Sequence, residues 1–283
     1  MSSTNLLGID LGGTHARAGV VKDDALLSIE GKRVSANGSI EQVLDELFTL
    51  VDRCINKDVV AIGIGVPGLV DAESGVVFDV LNIPAWKEVP LKKIMEDRYQ
   101  RPVAINNDSN CFALGEFFFG KGKGHDSMLG ITIGTGLGTG IIIDKKLYAG
   151  KNGGAGEFGM AEYLDRYFEY YASGQFFENV YGVKGELVFK NAGEGDVRAR
   201  EMYSELGNHL GNAIKTMLYA FDMDLIILGG SVSKAYKYFS QSMHNQLQSF
   251  AYKKTIEGLR IEVSELENSG ILGAAALCYD RLT

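Results

Sequence analysis

The run Asn5-Leu6-Leu7-Gly8-Ile9-Asp10-Leu11-Gly12-Gly13-Thr14-His15-Ala16-Arg17-Ala18-Gly19-Val20-Val21 sets two apolar segments on either side of a glycine pair. The first segment ends at Asp10 and the second begins at Ala16, which predicts strand, glycine turn, strand. Such a turn points backbone N–H groups into a cleft with no Cβ in the way. A second copy of the pattern lies at Gly134-Thr135-Gly136-Leu137-Gly138, between apolar runs at 128–133 and 139–143. Two similar β-units, each with its own turn, predict two related lobes that face one another and grip a polyphosphate from both sides. Asp10 beside the first turn would repel such a ligand unless a cation lay between them. A Mg²⁺ ion that keeps several waters resolves this, held by Asp10 directly or through a water. Either turn alone reads equally well as a tight hairpin; the pair, with Asp10 and Thr14 in place, favours a ligand site.

Outward from these turns the pattern is α/β. Residues 25–34 add a third strand, and 40–55 show helical spacing behind Ser39 as N-cap. A buried strand is predicted at 59–66, a short helix at 91–99, a strand at 102–106 and a helix from Asp108 to about 119. Residues 71–75 read as a turn, 82–90 as irregular chain, and 145–160 as loop. Helical patterns dominate 161–221, the longest from about Asp196. Strands are expected at 225–228 and 259–263, and a terminal helix rich in small residues at 270–282.

The chain has 283 residues, 46% hydrophobic and 23% charged, within the ordinary globular range. The formal net charge of −8 disfavours nucleic-acid and anionic-membrane partners, which need a cationic surface. It does not exclude a nucleotide, because backbone N–H groups and Mg²⁺ hold phosphate without net positive charge. The three cysteines, Cys54, Cys111 and Cys278, are far apart and form no CxxC pair. Neither a disulfide framework nor a zinc knuckle is indicated, and a reducing, cytoplasmic setting is expected. No signal peptide or membrane-spanning run is read in the sequence.

Three motifs point elsewhere and are set aside. Gly63-Ile64-Gly65-Val66-Pro67-Gly68 matches GxGxxG, but Pro67 and the turn-like residues after it replace the helix that a dinucleotide site requires. Gly120-Lys121-Gly122-Lys123-Gly124 lacks the GKS or GKT of a phosphate-binding loop and reads as a solvated connection. His15, His125, His209 and His244 do not cluster at metal-ligand spacing.

The strongest local signal is Asn106-Asn107-Asp108-Ser109-Asn110, between a strand and a helix. Asp108 can cap the helix. It also sits at a strand's carboxyl end, where α/β folds place ligands. A carboxylate there can take a proton from an attacking hydroxyl. Asn107 both donates and accepts, which suits a sugar hydroxyl.

Together these motifs resemble the ROK family of sugar kinases and bacterial glucokinases, from Leu7 to about Ala276. The resemblance rests on DxGGT at Asp10 to Thr14, GTGxG at Gly134 to Gly138, and NDxN at Asn107 to Asn110. It also rests on a strand followed by Gly229-Gly230-Ser231, which in the family binds adenosine. The runs Pro67-Gly68-Leu69-Val70-Asp71 and Asn82-Ile83-Pro84-Ala85-Trp86 look like family segments near the sugar.

The resemblance implies an α/β, two-lobed actin/hexokinase-like (ribonuclease H-like) fold with a nucleotide and sugar cleft between the lobes. Residues 1–107 would form the smaller lobe, with the helix at 270–283 packing back on it, and residues 108–269 the larger. It implies an ATP-dependent phosphotransferase acting on a hexose, glucose to glucose 6-phosphate, with ATP and Mg²⁺ and in a homodimer. Asp108 would be the base, and Gly68, Asn82, Asn107, Asp108, Glu157 and Glu169 would approach the sugar. Asp10, Gly12, Gly13, Thr14, Gly134, Thr135, Gly136, Gly138, Gly229, Gly230 and Ser231 would hold the nucleotide, and Asp10 the metal. Without the resemblance, Glu157 reads as a loop charge and Glu169 as a solvated helix face.

Two departures from the family pattern stand out. Met160 replaces the histidine of GExGH, removing an imidazole that would contact the sugar. The cysteine-rich segment of many members is missing, so no structural zinc is expected. Losing one neutral hydrogen bond is worth about 0.5–1.5 kcal/mol, enough to retune specificity. Fructose, mannose or an N-acetylated hexosamine are therefore alternative substrates, and a catalytically weakened sugar sensor an alternative role. The family's repressors carry a DNA-binding segment, for which the position of the first strand leaves no room. An acidic, amide-lined pocket argues against small anionic substrates.

Overall fold

The structure, a computed structural model, describes residues 4–80 and 82–279. The chain opens on β1 (Asn5–Leu11) and β2 (His15–Lys22), an antiparallel pair in register from Leu6 with Val21 to Leu11 with Ala16. β3 (Ala25–Arg33) extends the meander. α1 (Ile40–Cys54) starts at Ser39, whose hydroxyl accepts the Gln42 N–H, and its spacing buries Val43, Leu47, Leu50 and Val51 on one face. β4 (Val59–Val66) then returns parallel to β1.

A small three-stranded sheet follows, built from β5 (Leu69–Asp71), β6 (Val76–Phe78) and β7 (Glu88–Val89). Turn and irregular chain were expected over most of this region. The strands are too short for a two-residue period to register, and the turn between β5 and β6 is set by Asp71, whose Oδ1 accepts the Glu73 and Ser74 N–H groups. α2 (Leu91–Tyr99) leads to β8 (Val103–Asn107), parallel to β4. The first large sheet is ordered β3-β2-β1-β4-β8.

α3 (Asp108–Phe119) begins where β8 ends and leads to a second unit. β9 (Met128–Ile133), β10 (Leu137–Ile143) and β11 (Lys146–Leu147) form its meander. A hairpin of β12 (Glu162–Tyr163) and β13 (Arg166–Tyr167) stands where a helical pattern was expected. Then come α4 (Phe168–Ala172), α5 (Phe176–Tyr181), α6 (Gly185–Gly193) and α7 (Val197–Phe221), the last capped by Asp196. β14 (Leu225–Gly229), α8 (Tyr236–Leu247), α9 (Lys253–Gly258) and β15 (Arg260–Val263) complete it. The second large sheet is ordered β11-β10-β9-β14-β15. Both sheets are thus three antiparallel strands followed by two parallel ones, the structural form of the repeated glycine-turn pattern.

α10 (Ser269–Ala276) returns to lie beside α3, and the two helices separate the sheets. The layers meet backbone to backbone. A Cβ at Gly63 would lie 1.7 Å from the Ala274 carbonyl oxygen, and one at Gly273 would lie 1.6 Å from that of Cys111. Only glycine permits so close an approach. Residues 280–283, expected as the end of this helix, lie outside the described residues. Separate apolar cores fill the two units, one around Leu7, Ile62 and Trp86, the other around Ile131, Leu210 and Phe239. Among the described residues no helix is long and apolar enough to cross a membrane.

The glycine-lysine connection at 120–124 is more than a solvated link. Buried Glu116 accepts the Lys121 N–H and the Ser264 hydroxyl, and Lys121 pairs with Glu262 and Glu265. Lys123 reaches Asp24, tying the connection to the first unit.

Candidate active site

The passage from β8 into α3 forms the floor of the site. Asn107 is extended, and its Oδ1 accepts the Ser109 N–H at 2.8 Å. Its Nδ2 donates to the Gly68 carbonyl at 3.1 Å, holding that turn in place. Asn106 braces the junction, its Oδ1 accepting both the Asn107 N–H and the Asn110 amide. Capping falls to Asn107 and not to Asp108, so the Asp108 carboxyl is left for the cleft. It is reached by solvent from the mouth, yet the surrounding walls desolvate it. Burial, with the Asp10 and Glu157 charges adding to it, pushes its pKa up to about 6, against hydrogen bonds from Ser109 that pull the other way.

These interactions join the two turns. Asp10, at the first turn, acts on Asp108, which in turn feels Glu157. The Glu157 carboxyl is raised by burial and by Glu169. Glu169 Oε2 accepts the Leu137 N–H at 2.9 Å and would be 2.5 Å from a Cβ on Gly136, in the second turn. A line of four carboxylates therefore runs from one glycine turn to the other. Glu157 and Glu169, bland when read as isolated charges, are brought into this line by α4 and by the 3₁₀ turn Phe158–Met160.

At the first turn the Gly12 N–H donates to the His15 carbonyl, and a Cβ on Gly13 would lie 2.4 Å from that of Asn82. Thr14 accepts the Val34 N–H through its carbonyl, and its hydroxyl lies 3.2 Å from His15 Nδ1. Arg17, missed in the sequence, lies directly across from Asp10 in the β1–β2 register and pairs with its Oδ2 at 2.8 Å. The clue was the spacing of seven residues across a tight hairpin. The arrangement leaves Asp10 Oδ1 for the water shell of a metal, so the residues present fit a Mg²⁺ held through water.

At the second turn Gly134 donates to the Gly136 carbonyl and accepts the Gly174 N–H at 2.7 Å. The Ser173 hydroxyl and the Gln175 amide both donate to the Thr135 carbonyl. A Cβ on Gly134 would meet nothing within 4 Å, an open cradle for phosphate. Gly138 and Gly229 are glycines for packing, since their Cβ atoms would strike Ser109 and Phe112 of α3. Gly230, at φ +86°, turns the chain against the Ile133 carbonyl so that Ser231 faces the space beyond. That space is a cavity of about 630 Å³ whose lining includes Gly134, Thr135, Phe177, Tyr203 and Ser231. Its size and its cradle fit a nucleotide, and the exposed Phe189 ring lines it as well. Phe177 and Tyr203 of that lining belong to the core of the second unit, at 1% and 3% exposure.

Met160 ends the 3₁₀ turn with its side chain 55% exposed. Beyond it the β12–β13 hairpin is held by aromatic packing. Tyr163 stacks on Phe168 at 4.3 Å, and its hydroxyl lies 3.1 Å from His209 Nδ1 and accepts the Asn212 amide. Burial lowers the His209 pKa.

The sequence model of the ROK family matches residues 6–281. The glucokinase of Thermotoga maritima is 27% identical over 319 residues, covering 100% of this chain and 99% of that one. The N-acetyl-D-glucosamine kinase of Pectobacterium carotovorum is 31% identical over 304 residues, covering 95% and 97%. The crystal structure of a ROK family glucokinase from Streptomyces griseus, in complex with glucose and AMPPNP, superposes with a TM-score of 0.82 at 30% identity, covering 96% and 98%.

Proposed function

Because the chain belongs to the ROK family, we propose that this ATP-dependent sugar kinase transfers the γ-phosphoryl group of ATP to glucose, forming glucose 6-phosphate. Its fold is the two-lobed actin/hexokinase-like one. We divide the lobes at 107/108, with α10 returning to the first. The observation that carries the reading is the line of carboxylates from Asp10 through Asp108 to Glu157 and Glu169, which connects the two glycine turns.

In this reading the turns at Gly12-Gly13-Thr14 and Gly134-Thr135-Gly136 hold phosphates through the backbone N–H groups of Gly13, Thr14, Thr135 and Gly136, while those of Gly12 and Gly134 close the turns. Gly229, Gly230 and Ser231 hold the nucleoside end, and Gly138 keeps the second turn seated on α3. Asp10 would hold a Mg²⁺ ion through water, and the ion would supply positive charge to the phosphate oxygens. Glu157, Glu169, Asn107 and Asn82 orient the sugar hydroxyls, with Gly68 closing the turn behind Asn107. Asp108 accepts the proton of the attacking hydroxyl as its oxygen bonds to the γ-phosphorus and the bond to the β-phosphate oxygen breaks. ADP leaves. A pKa of about 6 keeps Asp108 largely ionised at neutral pH while leaving it a stronger base than an ordinary aspartate. Because the transition state is loose, most of the acceleration comes from positioning and charge.

Met160 favours a second reading, in which the site accepts another hexose or binds sugar with little turnover. A solvent-facing thioether supplies no donor where the family places an imidazole. A coupled assay of ADP release over glucose, mannose, fructose, N-acetylglucosamine and N-acetylmannosamine separates the readings. Highest kcat/KM on glucose supports the first. Sugar binding with no ADP release on any member of the panel sinks it.

A further inference from the structure

Two hydroxyls stand between the Asp108 carboxyl and the second glycine turn. Ser109, the second residue of α3, is 6% exposed, and its Oγ donates to Asp108 Oδ1 at 3.4 Å. The same Oγ lies 3.0 Å from Thr132 Oγ1. Thr132 belongs to β9, just ahead of Gly134, and lies opposite Gly138 of β10 on one side and Gly229 of β14 on the other. A Cβ on Gly138 would sit 1.9 Å from Ser109 Oγ and 2.8 Å from Thr132 Oγ1. The second turn therefore gives up a side chain at the point where these hydroxyls meet.

An ionised carboxylate only accepts hydrogen bonds. With the Ser109 proton committed to Asp108, Ser109 Oγ accepts from Thr132. The chain then has one polarity, from Thr132 to Ser109 to Asp108, and each bond polarises the next. At 3.4 Å the last bond is longer than the usual limit of about 3.0 Å for O–H···O, and bonds to a catalytic group often tighten only when substrate is in place.

We propose that Ser109 and Thr132 are positioning residues for the base. Their hydroxyl chain, anchored on the strand that carries the second glycine turn, holds one Asp108 oxygen and leaves the other for the sugar hydroxyl. This rests on Asp108 as the base, the reading given above, and adds two side chains that act through it. The charges acting on Asp108 come from elsewhere: Asp10 on β1, paired with Arg17 of β2, and Glu157 ahead of the 3₁₀ turn. The Cys111 thiol of α3 is pushed up by burial and stays neutral. Removing a hydroxyl alters none of these groups.

The test is the pH profile of kcat/KM for the most active hexose of the panel above. It compares the wild type, Ser109→Ala, Thr132→Val, Thr132→Ser and the Ser109→Ala/Thr132→Val double variant. Losing the donor makes the ionised carboxylate costlier, so in Ser109→Ala the acid limb moves to higher pH by about half a unit to one unit. On the plateau its kcat falls about 3- to 10-fold, while KM for the sugar changes less than about 2-fold. Thr132→Val shifts the limb the same way by less, and Thr132→Ser, which keeps a hydroxyl, retains the wild-type limb. The double variant shifts no further than Ser109→Ala, because Thr132 acts only through Ser109. A limb unmoved in Ser109→Ala overturns the proposal, as do shifts that add in the double variant. Thr132→Val leaves α3 untouched, so if Ser109→Ala fails to fold, a limb unmoved in Thr132→Val overturns it instead. A wild-type profile with no acid limb, or no turnover on any hexose, sinks the base reading itself, a separately visible failure.

Discussion

Glu169 Oε2 accepts the Leu137 amide at 2.9 Å, so a side chain proposed to meet the sugar holds the second glycine turn, proposed to meet the nucleotide. In the proposed reading the two substrates are coupled through this one carboxylate. Replacing Glu169 with Ala removes the acceptor and the proposed sugar contact, and KM is expected to rise for ATP and for sugar together, each by about 10-fold. Glu169→Gln keeps an acceptor oxygen and should recover most of the ATP term. Steady-state kinetics with each substrate varied in turn separates the two.

Asp108 sets the pH dependence. Its folded pKa of about 6 lies above the 3.8 of an unperturbed aspartate. The ionised form is therefore the costly one in the folded state. That cost is present in full above pH 6, shrinks as pH falls through 6, and is gone below the unfolded value. The acid limb of kcat/KM should fall with an apparent pKa near 6. Asp108→Asn should stabilise the fold at pH 8 by about 1 kcal/mol, a figure discounted because the carboxyl is open to cleft water. For a chain of this size that is about 2–4 °C in Tm, and it should vanish near pH 4. Scanning calorimetry at the two pH values checks this.

The packed backbones between the sheets and α3 and α10 tolerate no side chain at Gly63 or Gly273. A Cβ on Gly63 or Gly273 would sit within 2 Å of a backbone oxygen, 1.7 and 1.6 Å respectively, with no rotamer to relieve it. Each Gly→Ala change should cost about 3 kcal/mol or more. Gly134→Ala, open at the same atom, should leave Tm nearly unchanged and raise KM for ATP. Thermal melts of the three variants read the contrast directly.

Met160→His tests the missing donor. If the site is a kinase retuned by that change, the histidine should lower KM for glucose about 3- to 10-fold, the worth of one neutral hydrogen bond, with kcat little altered. A glucose titration of the two proteins checks it.

Much of the fold was legible because it repeats. The bounds of β4, α2 and β9 agree with the sequence pattern to the residue, the Ser39 cap is where the sequence places it, and α7 follows Asp196, about where its pattern begins. The β5–β7 sheet and the β12–β13 hairpin were not legible, since strands of two or three residues leave no period to detect. Within the candidate site, Asp10 and Asp108 announce themselves by standing at strand ends beside glycine or helix. Arg17 needed the hairpin register, and the cavity needed α5, α6 and the second glycine turn to be packed before its lining could be assigned. Which residues line a cavity is a tertiary property.

The most direct test is Asp108→Ala assayed for both glucose binding and phosphoryl transfer under single-turnover conditions. The account predicts that glucose affinity stays within about threefold while the transfer rate falls about 10²- to 10⁴-fold, the worth of a positioned base. A transfer rate within a few-fold of wild type would contradict it.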